Sequence, residues 1–214
     1  MLTPGEMLEE LLRFKEASEA KTNDFVRQKH DADLCPRFLN HVNTILNSYT
    51  KYNHIAHDTQ SPRDRGIDII LKMQVREGPE VCVGIQIKSY DDLMAPDWSK
   101  TIKAQVTDAR AYLGERLARY YLVLCTDSII HRKSIRSISA DLAADDQIRI
   151  VSPQFAHTFL ALSPTRITAF VERNLRAEDY VHTAGVGSRR HSPGERDSAS
   201  VEALRNARAI DGPR

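Results

Sequence analysis

Long apolar runs are missing from this sequence. No stretch of roughly 18 apolar residues occurs, so the chain offers no membrane-spanning helix. Cysteine is scarce: Cys35, Cys82 and Cys125 lie far apart in 214 residues. None sits in a CxxC or a Cys/His spacing that signals zinc. Cys82 and Cys125 fall inside apolar runs and read as small buried thiols. An excess of charge is also lacking. Thirty Lys and Arg balance 29 Asp and Glu, for a net charge of +1. That balance marks no polyanionic partner, and it leaves room for a local basic stripe. The first residues, MLTPGEMLEELLRF, carry acids where a signal peptide has a basic start and an apolar core. A reduced, cytoplasmic protein is the expectation. There is no internal repeat, no helix-turn-helix and no zinc-finger reader.

What remains is an ordinary globular composition, 41% hydrophobic and 28% charged. The length suits one domain with appendages. Thr3-Pro4 with Glu6 reads as a helix start, and Met7, Leu8, Leu11, Leu12 and Phe14 make its stripe. Residues 21–35 carry no clear period. Pro36 opens a second helix with Phe38, Leu39, Val42, Ile45 and Leu46 on one face, ending near Tyr52-Asn53. A short strand around His54–His57 precedes a basic, turn-rich loop, Asp58 to Gly66. Ile67–Val75 and Val81–Lys88 alternate and read as an antiparallel hairpin. A helix capped by Asp97 or Ser99 follows, with a stripe of Trp98, Ile102, Val106, Ala109, Leu113 and Leu117. Tyr120–Cys125 reads as a strand buried on both faces. Ser128–Ala144 reads as a helix and Ile148–Val151 as a strand. Ser152-Pro153 and Ser163-Pro164 open two last helices. The fold class expected is α/β, a mixed sheet of about four to five strands flanked by helices. Three parts are expected: an N-terminal helical segment, 1–35, a main domain, 36–176, and a mostly disordered tail, 177–214, too poor in large apolar residues to offset its ordering entropy. Val201–Ala209 is a candidate transient helix within it.

The hairpin carries the chemistry. Alternation puts Ile67, Ile69, Leu71, Met73 and Val75 on one face, and Asp68, Ile70, Lys72 and Gln74 on the other. In the second strand Cys82, Gly84, Gln86 and Lys88 share a face. Pairing Val75 with Val81 sets Asp68 opposite Lys88 and Ile70 opposite Gln86. A slip of one residue would carry Asp68 to the apolar face, which the pattern disfavours. Asp68, Gln86 and Lys88 therefore converge. Phosphodiester hydrolysis has a use for such a trio: a carboxylate and neutral oxygens for Mg²⁺, and a cation beside the attacking water and the scissile phosphate. The bland alternative is a cross-strand Asp68–Lys88 ion pair on a wet face, which contributes only about 0–1 kcal/mol.

The segments Gly66-Ile67-Asp68-Ile69-Ile70 and Val83-Gly84-Ile85-Gln86-Ile87-Lys88-Ser89-Tyr90 resemble the Mrr-like branch of the PD-(D/E)xK nuclease superfamily. That branch often carries Gln for the acid, giving an aspartate followed by QxK. The order of elements from Pro36 to Cys125 is similar to the family core of helix, three-stranded meander, helix and strand. The resemblance implies a restriction endonuclease-like core and a metal-dependent endonuclease of restriction or phage defence. It implies Asp68 and Gln86 as metal ligands, with the Ile87 carbonyl as a third, and Lys88 as the catalytic lysine. The cofactor implied is Mg²⁺, with Mn²⁺ able to substitute. The partner implied is DNA, with RNA left open, and a homodimer would supply two cutting sites. Relatives often place a glutamate on the helix before the meander. Here that face offers Asn40, Asn43 and Asn47, which points to a single metal unless Asp64 compensates from the loop. The lost acid and the neutral Gln86 keep a second reading open, a catalytically weakened module that binds nucleic acid or a partner protein.

Further candidates are weaker. Gln105 and Tyr112 lie seven residues apart on the helix after the hairpin, where related nucleases use polar residues. Arg63 and Arg65 flank the loop before Asp68 and suit phosphate contact. His131, Arg132, Lys133 and Arg136 cluster at a helix start. Arg189, Arg190, Arg205 and Arg208 would add salt-sensitive affinity from the tail. His54 and His57 lack partner ligands and read as structural.

Overall fold

Thr3 opens the first helix, α1 (Pro4–Leu12), because it satisfies backbone donors that the helix leaves free. Its hydroxyl accepts from the Glu6 N–H at 3.2 Å, and the Glu6 carboxylate accepts from the Thr3 N–H at 2.7 Å. The computed structural model describes residues 2–14, 21–49, 55–60, 65–75 and 78–185, with backbone alone for 55–60, 75 and 176–185. A 3₁₀ turn, Thr22–Arg27, and a π turn, His30–Leu34, fill the stretch without a clear period. The π turn runs directly into α2 (Cys35–Tyr49).

The sheet is built from β1 (Ile55–Gln60), β2 (Ile69–Val75), β3 (Glu80–Lys88), β4 (Leu117–Leu124) and β5 (Ile148–Val151). They lie in the order β1-β2-β3-β4-β5. The first three form an antiparallel meander, whereas β3, β4 and β5 run parallel. Parallel neighbours need long crossovers. The first passes through α3 (Tyr90–Met94) and α4 (Trp98–Leu113), the second through α5 (Arg132–Leu142). Then come α6 (Pro153–Ala161) and α7 (Pro164–Gly185).

Alternation along the strands feeds two cores. Ile69, Leu71, Met73, Val83, Ile85, Ile87, Tyr121 and Val123 pack with Met7, Leu8, Phe38, Val42, Ile45, Phe159 and Val171, so α1, α2, α6 and α7 cover one face. Ile70, Cys82, Tyr120, Leu122 and Leu124 pack with Ile102, Val106, Ala109 and Ile138, so α4 and α5 cover the other. The expected α/β class with a mixed sheet between helices is what the chain adopts. Residues Met1–Ala177 form one compact unit and Glu178–Arg214 a second.

Several boundaries differ from expectation for identifiable reasons. Gly114, at φ 56°, stops α4, so Leu117 starts β4 instead of extending the helical stripe. Asp127 holds the Ile129 and Ile130 N–H groups at 2.7 and 2.9 Å, which delays α5 to Arg132. Ser89 and Asp92 form a capping box that makes the short, unforeseen α3. Helix α7 runs on to Gly185, past the start of the tail expected from Ala177. Residues 186–214, with Arg189, Arg190, Arg205, Arg208 and the 201–209 segment, lie outside the described residues. So do Tyr52, Asn53 and His54. Among the described residues no helix is long and apolar enough to cross a membrane.

Candidate active site

The hairpin pairs two residues away from the expected register. Ile70 lies opposite Gly84 and Gln74 opposite Glu80, so Ile70 does not face Gln86 and Val75 does not face Val81. The ladder ends at Ile69–Ile85, and Ile67 packs in the core on the opposite face from Ile69, so the strand leaves regular pairing at Asp68 and does not set it against Lys88. An even slip returns every side chain to its own face, so the hydrophobic pattern cannot tell the two registers apart. The Asp68 N–H donates to the Ile85 carbonyl at 2.9 Å. The Ile87 N–H donates to Asp68 Oδ2 at 2.6 Å. Within a strand the N–H and C=O of one residue point to the same side. The Ile87 carbonyl therefore faces the edge where the Asp68 carboxylate sits.

Two glycines let the neighbouring groups close in. Gly66 has φ 66°, and a Cβ there would overlap the Gln105 carbonyl, so α4 approaches the chain just before Asp68. Gly84 pairs with Tyr120, whose ring a Cβ on Gly84 would touch at 3.2 Å. The Tyr120 hydroxyl thereby reaches the Gly66 carbonyl at 2.6 Å and the Gln86 amide at 2.5 Å. A single phenol hydrogen cannot serve two acceptors. Turning the Gln86 amide resolves this. Its nitrogen then donates to the Tyr120 oxygen, and its oxygen faces Lys88 Nζ at 3.3 Å and the Gln105 side-chain amide at 3.0 Å. Burial, with the Asp68 charge adding to it, holds the Tyr120 phenol far above its ordinary pKa, so it stays a neutral donor.

Gln86 is 2% exposed and Lys88 6%. Among the described residues no carboxylate lies within 4.0 Å of the Lys88 ammonium, so the cross-strand ion pair with Asp68 is not formed. Gln86, Lys88 and Gln105 are thus brought together, with Asp68 tied to the Ile87 N–H between them. The asparagines of α2 stand where an acid was looked for, and the helix carries no Asp or Glu.

His30 joins this group and was not foreseen. Its Nε2 lies 3.3 Å from Asp68 Oδ2 and its Nδ1 2.8 Å from Asp31 Oδ1. Cys35 Sγ lies 3.4 Å from Nε2 and 3.8 Å from Nδ1. Hydrogen bonding to Asp68 and then to Cys35 pushes the imidazole up to about 11, against the effect of burial. Burial raises the Cys35 thiol despite the imidazole beside it. No sequence spacing signalled this, because the link from residue 30 to residue 68 is tertiary and the approach of residue 35 depends on a π turn.

The remaining candidates divide. The Arg65 guanidinium stacks over the Tyr112 ring at 5.4 Å, which accounts for both side chains on the rim beside α4. Arg63 and Asp64 lie outside the described residues. Arg132, Lys133 and Arg136 are exposed at the start of α5. Because β3 and β4 are parallel and Lys88 pairs with Leu124, this basic turn follows the same sheet end that carries Lys88. Arg132 and Arg136 line a cleft of about 370 Å³ with Ile129 and Gln154. His131 instead turns inward, its Nδ1 2.5 Å from the Thr126 hydroxyl. A larger cleft of about 480 Å³ lies between α4, the end of α5 and the start of β5. Its charged walls pair with each other, Lys103 with Asp141 and Arg110 with Asp145, so it offers no comparable chemistry.

Compared with known proteins, the chain matches no family model, no curated protein and no solved structure.

Proposed function

We propose that the chain is a metal-dependent endonuclease of the PD-(D/E)xK kind that hydrolyses phosphodiester bonds in DNA. The observation that carries this reading is Lys88. Its side chain is buried at a sheet end, beside the Gln86 amide oxygen, with no carboxylate partner among the described residues. Burying an ammonium without a counter-charge is unfavourable. A scissile phosphate arriving at this end would supply the missing charge.

The donors fit Mg²⁺. The Asp68 carboxylate, the Gln86 amide oxygen and the Ile87 carbonyl are all hard oxygen ligands grouped at the end of β3. Bound by them, Mg²⁺ would polarise a phosphoryl oxygen and lower the pKa of a bound water. Lys88 would hold the phosphate and stabilise charge developing on it. Tyr120 orients Gln86 from behind, and Gln105 closes the α4 side of the site. The restriction-endonuclease-like architecture, the defence role and a homodimer that cuts both strands follow from the same resemblance. The second reading, a weakened module that binds nucleic acid or a partner protein, draws on the acid-free α2 and the neutral Gln86.

Supercoiled plasmid incubated with the protein and Mg²⁺ or Mn²⁺ tests the proposal. Nicking or linearisation is expected, with loss in Asp68→Ala and Lys88→Ala. Cleavage that survives both substitutions would remove these residues from the site. Binding without cleavage of any DNA or RNA would favour the module.

A further inference from the structure

We infer that His30, Asp31 and Cys35 form a second cation site, one that takes a borderline transition metal such as Zn²⁺ and not Mg²⁺. Three ligand atoms from these residues lie within 4.8 Å of one another. The inference is independent of the nuclease reading.

The backbone creates the spacing. In the π turn the Cys35 N–H bonds the His30 carbonyl, five residues back. That widened turn lays Cys35 over His30, which α-helical geometry would do for a residue four away. The Lys29 N–H is held by the Asp33 carboxylate at 2.8 Å, which fixes where the turn begins. Asp31 follows His30 directly and reaches its Nδ1.

Asp31 and Asp68 decide the ring nitrogen that faces the metal, because Asp31 Oδ1 lies at Nδ1 while Asp68 Oδ2 lies at Nε2. Ligands on a tetrahedral Zn²⁺, with bonds of about 2.0–2.3 Å, stand roughly 3.3–3.6 Å apart. Cys35 Sγ lies 3.4 Å from Nε2 and 3.8 Å from Nδ1, so its side chain must swing toward Nδ1 for the three residues to share one ion. Asp31 Oδ1 at 2.8 Å must open by about half an ångström to reach the same separation. Its side chain is 98% exposed and free to do so. With the metal on Nδ1, the Nε2–H is left to donate to Asp68 Oδ2, 3.3 Å away. A metal-bound imidazole commonly gives its other N–H to a carboxylate, which fixes the ring and raises its basicity.

The donor set decides the metal. A thiol with an imidazole prefers Zn²⁺, Co²⁺ or similar ions over Mg²⁺, which wants oxygen. Three protein ligands leave one position open to water or to a ligand oxygen. Asp68 would then serve both centres, as ligand to one and hydrogen-bond acceptor for the histidine of the other.

Co²⁺ titration of the full chain, in the presence of excess Mg²⁺, reads the site directly. One equivalent should produce the near-ultraviolet thiolate-to-Co²⁺ charge-transfer band, and Zn²⁺ should displace it. Cys35→Ser should abolish the band, and Asp31→Asn, an exposed and structurally mild change, should weaken Co²⁺ binding about tenfold or more. Zn²⁺ should also slow alkylation of Cys35 in the wild-type chain, a readout that needs no variant. No charge-transfer band in the wild type would overturn the inference. So would a band unchanged in Cys35→Ser, or alkylation of Cys35 at the same rate with and without Zn²⁺. Plasmid cleavage enters none of these readouts.

Discussion

His41 lies on α2, 6% exposed, edge-on to Phe159 with ring centroids 5.2 Å apart. Neither ring nitrogen meets hydrogen-bond geometry with a partner among the described residues. Burial lowers its pKa, and the nearby Leu162 backbone opposes this only in part. The sign of the consequence is fixed. Above the ordinary histidine range the ring is neutral in both folded and unfolded chains. As pH falls through about 6.5 the unfolded chain takes up a proton that the folded chain resists, so stability falls. His30 works in the opposite sense, because its raised pKa favours the folded state below about 6.5 and loses that advantage as pH rises. Comparing wild type with His41→Leu isolates the first effect. Urea denaturation at pH 7.5 and 5.5 should show the variant gaining on the wild type at the lower pH. A constant difference would contradict the account. At the same scale Lys88 is a buried cation, 6% exposed, beside the Gln86 amide oxygen. Among the described residues no carboxylate lies within ion-pair distance of it.

The hairpin and α4 are coupled through Gly66. A side chain at that position meets both a positive φ and the Gln105 carbonyl. Gly66→Ala should cost about 2 kcal/mol or more, read as a lower urea midpoint with an unchanged slope. It should also loosen Gln86 by displacing the carbonyl that Tyr120 holds. A midpoint matching the wild type would refute the close approach. Strand type and face were legible in the alternation of residues 69–75 and 81–88, because burial on two sides leaves a period of two. The register was not, because a slip of two residues buries the same set. The Gly66 and Gly84 contacts with α4 and Tyr120 depend on how a helix and a third strand pack onto the hairpin. Leu117 was misread as helical because its spacing fits a helix as well as a strand, and the Gly114 turn outweighed it. That Gln86 and Lys88 share a face was legible because residues two apart on one strand do, whereas the place of Asp68 against them depended on the register. His30 was hidden because only the π turn and the tertiary fold bring it to Asp68.

At the scale of the whole molecule, the end of the sheet where β3 and β4 finish is the one the functional reading singles out. Lys88 lies there, and the loop after β4 leads to Arg132 and Lys133. A net charge of +1 conceals this local bias. If these two side chains grip phosphates, Arg132→Ala with Lys133→Ala should reduce the slope of log affinity against log salt by about 2 on duplex DNA. An unchanged slope would remove α5 from the interface. The role proposed for Lys88 is narrower: it would act on the phosphate during cleavage, beyond any part in holding DNA. The most direct measurement is single-turnover cleavage of a defined duplex with Mg²⁺ by wild type and Lys88→Met. Binding of the same duplex is measured in Ca²⁺, with Asp68→Asn as the metal-ligand control. The account predicts cleavage slower by at least about 100-fold in Lys88→Met, with affinity changed far less. Wild-type rates in Lys88→Met would contradict it.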